Sequence, residues 1–254
     1  MRGDSRRQRI TLGAALVMAA VVGFSVAPDG RARAGEAPPA IDRVAVPAVA
    51  DESAVRGTAV ELVPPPRHYP GCESRRVFTV GDSLTAGIVN LGGGYHSMLR
   101  AAGYTPTSVY EVGRFTLWGV GQLRLALGSG QVGGLVVMAL GTNDAYKTPP
   151  SYLAAFKLRV DEAMRLAGPD RTVIWVNLQM GKPGTATYPE LLAMAEPFNT
   201  VLQEKASVWP NLVVVDWAST PNRQYLGSDQ MHYSTIGYRN RAAAIVDAIT
   251  SVSC

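Results

Sequence analysis

The sequence predicts an α/β fold, a three-layer α/β/α sandwich around a five-stranded parallel sheet in a flavodoxin-like strand order, and three observations carry the prediction. Short β-branched runs recur that are nearly continuous in apolar residues, as strands covered on both faces must be. Helix-length segments separate them, and that alternation is the signature of a parallel sheet. Right-handed crossovers then favour the flavodoxin-like order.

The runs are Val77 to Val80, Val109 to Val112, Leu135 to Leu140, Val173 to Leu178 and Leu212 to Val215. The clearest intervening helix is Ser151 to Ala167, where Leu153, Phe156, Val160, Ala163, Met164 and Ala167 recur at helical spacing. Such a stripe reads as core rather than as cofactor contacts. A last helix from about Ser234 to Ser251 places Tyr238, Ala242, Ile245, Val246 and Ile249 on one face.

At 254 residues the chain is long enough for one domain with an enclosed core and some sequence outside it. Residues 1–34 supply part of that excess. A basic start (MRGDSRRQR) precedes an apolar run from Ile10 to Ala27 and then Ala32-Arg33-Ala34, the order of a secretory signal peptide cut after Ala34. The alternative is an uncleaved membrane anchor, since the run approaches the roughly 20 residues that span a bilayer. Only in that case is a membrane a partner. Residues 35–71 are rich in Pro, Ala and Val and read as an extended linker, leaving 72–254 as the domain. The expected location is therefore extracytoplasmic, secreted or in the cell envelope.

The net charge of +4 belongs to that leader. Removing its six Arg and two Asp from totals of 24 basic and 20 acidic residues leaves 18 of each, with no electrostatic reason to bind nucleic acid. The two cysteines, Cys72 and Cys254, stand at the two ends of the domain. In an oxidising compartment a disulfide between them is the expectation, and two unpaired thiols the alternative. Neither sits in a metal-binding spacing, so no metal is expected, and no other cofactor. Gly92-Gly93-Gly94 and Gly119-Val120-Gly121 complete no phosphate-binding pattern, which argues against a nucleotide.

In open α/β sheets the working residues collect at the carboxyl ends of the strands. Gly81-Asp82-Ser83-Leu84 follows the first run, so Ser83 begins the next helix, where backbone N–H groups favour negative charge. Gly113 follows the second run, Gly141-Thr142-Asn143-Asp144 the third, and Asp229-Gln230-Met231-His232 precedes the last helix. A serine hydroxyl needs a base to act as a nucleophile. Of three histidines, His68 lies in the linker and His96 in a helical stretch, so His232 is the candidate base. Asp229, three residues before it, can fix its tautomer; Asp216 competes for that role. The Ser83 N–H, the Gly113 N–H and the Asn143 amide are candidate donors to an oxyanion. Asp82 and Asp144 read as residues that tie down their own turns. Arg114 reads either as a contact for an anionic substrate group or as half of a surface salt bridge.

These four blocks, in this order, resemble the SGNH hydrolases, also called GDSL esterases and lipases, over about residues 75 to 251. The resemblance implies the same sandwich fold, Ser83 as nucleophile, Gly113 and Asn143 completing the oxyanion hole, His232 as base and Asp229 as its orienting acid. Val112-Gly113-Arg114, Val176-Asn177, Phe198-Asn199 and Val215-Asp216-Trp217 are further similar to the extracellular SGNH domain of bacterial peptidoglycan O-acetyltransferases. The multi-pass acyltransferase domain that often accompanies it is lacking here, so a free-standing esterase is the expectation. It would remove short acyl groups from envelope glycans, lipids or small esters through an acyl-serine intermediate. The alternatives are an O-acyltransferase acting on an envelope carbohydrate and a catalytically silent envelope-binding module.

Overall fold

Short runs that are apolar throughout are satisfied when a sheet is covered above and below, and that is the arrangement adopted for the middle of the sheet. The computed structural model describes residues 69–148 and 150–252. The leader, most of the linker and Cys254 lie outside the described residues. The strands are β1 (Arg76–Gly81), β2 (Thr105–Tyr110), β3 (Leu135–Ala139), β4 (Thr172–Val176) and β5 (Leu212–Val215). They form one all-parallel sheet in the order β2-β1-β3-β4-β5, the flavodoxin-like order expected from the sequence.

Side chains of successive strand residues point to opposite faces, and two separate apolar clusters result. Phe78, Val80, Val136, Met138, Val173 and Trp175 pack on one face against α3 (Thr116–Gly128), α5 (Leu153–Ala167) and α6 (Tyr188–Val208). Val77, Val137, Ala139, Ile174 and Val215 pack on the other against α1 (Ser83–Asn90), α2 (Tyr95–Ala101) and α7 (Thr235–Ser251). The remaining helix, α4 (Thr142–Lys147), is short and follows β3 directly.

Two boundaries differ from the expectation. Strand β2 begins at Thr105 and ends at Tyr110, whereas the apolar run suggested Val109 to Val112. It is an edge strand, half solvated, so its first residues are Thr-Pro-Thr-Ser rather than an apolar run, and Pro106 is tolerated because an edge lacks one set of ladder bonds. The helix expected from Ser151 starts at Leu153, after a short 3₁₀ turn at Pro150–Tyr152. Among the described residues, no helix is long and apolar enough to cross a membrane.

Candidate active site

The carboxyl edge of the sheet is where β1, β2 and β3 release the chain into Gly81-Asp82-Ser83, Gly113 and Gly141-Thr142-Asn143. The first turn is tight. A β-carbon on Gly81 would lie 1.8 Å from the Thr85 hydroxyl, so only glycine lets α1 start this close to its strand. Asp82 caps α1, its Oδ1 accepting from the Leu84 N–H at 3.0 Å. Ser83 is then the first helical residue, and its N–H belongs to the donors that have no partner inside the helix.

The other half of the site comes from a loop that an antiparallel bridge between Leu226 and Tyr233 pinches shut. Within it, Asp229 Oδ1 accepts from the backbone N–H groups of Met231 (3.1 Å) and His232 (3.0 Å). Oδ2 of the same carboxylate meets His232 Nδ1 at 2.6 Å. Burial pushes the Asp229 carboxyl up, but the His232 ring and the two backbone donors outweigh it and hold the group below its ordinary value. An anionic Asp229 requires the proton on Nδ1. Nε2 is thereby left as an acceptor, and it lies 2.7 Å from Ser83 Oγ, across 149 residues of sequence. Asp216 is elsewhere, accepting from Asn177 Nδ2 at 2.8 Å, so it does not compete for the histidine. His96 is likewise apart, paired with Ser108.

Ser83, His232, Gly113 and Asn143 line one cleft of about 110 Å³, together with Tyr146 and Lys147. Gly113 has φ +78°, a backbone state that suits glycine, and this turns the chain back at the cleft wall. Asn143 sits one residue inside α4 and is nearly buried. One of its amide hydrogens goes to Asp82 Oδ2 at 2.9 Å, which leaves the second for the cleft. Asp82 therefore does more than tie its own turn: it joins the β1 turn to the β3 turn. Burial pushes its carboxyl up to about 6, against the opposing pull of the Leu84 N–H, the Arg241 charge and the Asn143 amide. Asp144 also reaches beyond its turn, its Oδ2 accepting from the Thr116 N–H (2.9 Å) and hydroxyl (3.0 Å).

Arg114 does not line this cleft. Its guanidinium pairs with Glu111 at 2.5 Å and lies 5.6 Å from the Trp118 ring, beside a neighbouring depression. Of its two sequence readings, the structure matches the salt bridge. A larger cavity of about 370 Å³ is lined mainly by apolar side chains such as Ala145, Leu153, Met194 and Phe198, with Thr148 and Glu190 as its polar members, and contains neither Ser83 nor a histidine. Among the described residues no cluster of His, Cys, Asp and Glu could hold a metal ion.

Residues 79–239 match the GDSL-like Lipase/Acylhydrolase family over well more than half of the chain. The chain belongs to that family. Family membership makes it an esterase-type acyl hydrolase by class. Similar solved structures carry the same fold. A lipase/acylhydrolase from Enterococcus faecalis is 24% identical, with 69% of this chain and 95% of that one covered and a TM-score of 0.58. The C-terminal catalytic domain of Streptococcus pneumoniae peptidoglycan O-acetyltransferase A is 18% identical, covering 73% and 95%, with a TM-score of 0.55. A family 3 carbohydrate esterase from Clostridium thermocellum is 16% identical, covering 70% and 98%, with a TM-score of 0.55. No match was found among curated protein sequences.

Two site features of this GDSL-family member lie outside the candidates read from the sequence. The Asp82–Asn143 bond joins residues 61 apart. Lys147 was passed over, although a usable signal existed: it stands four residues after Asn143, which puts both on one face of a helix.

Proposed function

We propose that the protein is an extracytoplasmic serine esterase that removes a short acyl group from carbohydrate or other small esters, with Ser83 as nucleophile, His232 as general base and Asp229 as the acid that orients it. The observation that carries this reading is the unbroken relay from Ser83 Oγ through His232 to Asp229, at 2.7 and 2.6 Å. In the first step Ser83 Oγ attacks the acyl carbonyl as its proton passes to Nε2, and the ring, now charged, is stabilised by Asp229. The N–H groups of Ser83 and Gly113 and the free Asn143 amide hydrogen would receive the oxyanion. Collapse expels the alcohol, protonated by His232, and water then repeats the sequence on the acyl-serine.

A cleft of about 110 Å³ supports a short acyl group. A group the size of acetyl fits within it. Asp229 and His232 are both half-exposed, so water has free access to an acyl-serine, which favours hydrolysis. Transfer to a carbohydrate hydroxyl is the second reading, supported by the fold likeness to the O-acetyltransferase catalytic domain. The basic-then-apolar amino terminus supports export. In that setting we expect Cys72, buried in the same apolar cluster as Val252, to be oxidised to a disulfide with Cys254.

The test is direct. A labelled fluorophosphonate should modify the peptide containing Ser83, and Ser83→Ala should abolish hydrolysis of a chromogenic acetyl ester. Activity that survives the substitution contradicts the assignment. Adding a sugar acceptor separates the two readings, according to whether acylated sugar or free acid accumulates.

A further inference from the structure

The Ser83 cleft has one fully charged side chain in its wall. Of the residues that line it, Lys147 is the sole Lys, Arg, Asp or Glu. It stands one helical turn after Asn143 on α4, and the two share a face. A β-carbon added to Gly113 would lie 3.4 Å from Lys147 Nζ, so the ammonium rests against the residue opposite, where the chain turns back at φ +78°. The lysine thus bridges the mouth of the cleft, from the α4 wall to the β2 wall.

Nothing among the described residues neutralises it. Lys147 makes no ion pair or hydrogen bond there, although five other Lys and Arg side chains form ion pairs with acids. Neither acid on these walls pairs with it: Glu111 is held by Arg114, and the buried Asp144 turns its Oδ2 to Thr116 while its Oδ1 has no hydrogen-bond partner among the described residues. Beside the lysine the rim is apolar and solvent-facing, with Val112 71% and Tyr146 46% exposed. An aromatic face next to an unpaired cation suits a sugar ring that carries a negative group.

We propose that Lys147 selects esters whose alcohol portion is an anionic carbohydrate, by pairing with a carboxylate or phosphate on the ring while the acyl carbonyl sits at Ser83. The proposal rests on the esterase reading of Ser83. Lys147 contributes no proton and no bond to the reaction; it is a specificity determinant. Because the ammonium is a point charge without the planar fork of arginine, it accepts either anion. Exposed pairing of this kind is worth about 5-fold in affinity, and salt screens it.

The experiment uses the full chain and two matched esters, an acetylated methyl glycoside of a uronic acid and its neutral hexose counterpart. The readout is the ratio of kcat/KM for the anionic over the neutral ester. We expect wild type to favour the anionic ester about 5-fold at low ionic strength and to lose that preference at high salt. Lys147→Met should bring the ratio to about one, mainly through KM, and Lys147→Arg should restore it. A ratio that Lys147→Met leaves unchanged overturns the proposal while the esterase reading stands. If wild type hydrolyses neither ester and Ser83 resists the fluorophosphonate, the esterase reading itself fails and the proposal with it. Calorimetry of the anionic ester on Ser83→Ala, with and without Lys147→Met, reads selection without turnover, and equal affinity of the two variants also overturns it. Replacing the uronate by a sugar phosphate ester distinguishes the anions; sensitivity to Lys147 with either one supports the proposal.

Discussion

Replacing Asp82 by asparagine tests whether the oxyanion donor is held by tertiary structure or merely sits where it is needed. The Asp82 carboxylate accepts from two directions, the Leu84 N–H on Oδ1 and the Asn143 amide on Oδ2. Asparagine offers one oxygen and one NH₂. Whichever way it turns, one bond is lost and a donor faces a donor. A hydrogen bond to a charged acceptor contributes about 1.5–3 kcal/mol, and if that loss falls on the placement of Asn143 it becomes roughly 10- to 100-fold in rate. The effect should appear in kcat with KM little changed, because the oxyanion exists only in the transition state. Stability should respond differently. Burial raises the Asp82 carboxyl from 3.8 to about 6, a difference of about 3 kcal/mol between its charged and neutral forms. An acid raised in the folded state binds its proton more tightly there than in the unfolded chain. Its stabilisation is complete below about pH 4 and is lost as pH rises through about 6. Urea unfolding of wild type should therefore show stability falling across that window, and Asp82→Asn should remove this component of the slope. A variant whose kcat stays within about twofold of wild type, or whose pH slope is unaltered, refutes the reasoning.

Other outcomes follow from the same geometry. Asn143→Ala should lower kcat on a chromogenic acetyl ester by about 100- to 1000-fold, the usual cost of one oxyanion donor, with the fold intact by circular dichroism. Gly81→Ala forces a methyl group against Thr85, 1.8 Å from its hydroxyl, and should destabilise the protein by about 1–3 kcal/mol in urea unfolding.

How much of this could be read from the sequence depended on how local the determining contacts are. Strands β1, β3 and β4 were legible because continuous burial on both faces leaves a continuous apolar run, and β5, although an edge strand with only its end residues fully buried, because all four of its residues are apolar. Strand β2 was displaced because an edge strand obeys a looser rule, and its apolar tail at Val112 turned out to be exposed rim rather than core. The pairing of Asp229 with His232 could be anticipated from a spacing of three residues, whereas their approach to Ser83 required the sheet order to bring sequence ends together. Arg114 illustrates the opposite error. Its adjacency to Gly113 suggested an anion contact, but the positive φ at Gly113 reverses the chain, and the guanidinium leaves the cleft for Glu111. The cation that does line the cleft comes from α4, through a contact between residues 113 and 147 that no local pattern encodes.

The short helix α4 explains why the site tolerates a strained arrangement of charge. Its first turn supplies Asn143 to the cleft and Asp144 to Thr116, so two buried acids, Asp82 and Asp144, hold the element from opposite sides. Burial raises both carboxyls. For Asp82 the charged form costs about 3 kcal/mol relative to an exposed carboxylate. A purely structural site would lose that cost by replacing Asp82 with a neutral residue, and a fold under selection for stability alone would have no reason to keep it. Arg241, only 2% exposed on α7 and stacked 5.7 Å from the Trp217 ring, offsets part of the cost through its charge without bonding to the carboxylate. What Asp82 provides in return is direction. A charged acceptor at 2.9 Å fixes one amide hydrogen of Asn143, and because the amide is planar, the other hydrogen is thereby aimed. Orientation of a donor before the oxyanion forms is the property on which acyl transfer depends most, and it accounts for a buried, destabilised carboxylate one residue from the proposed nucleophile.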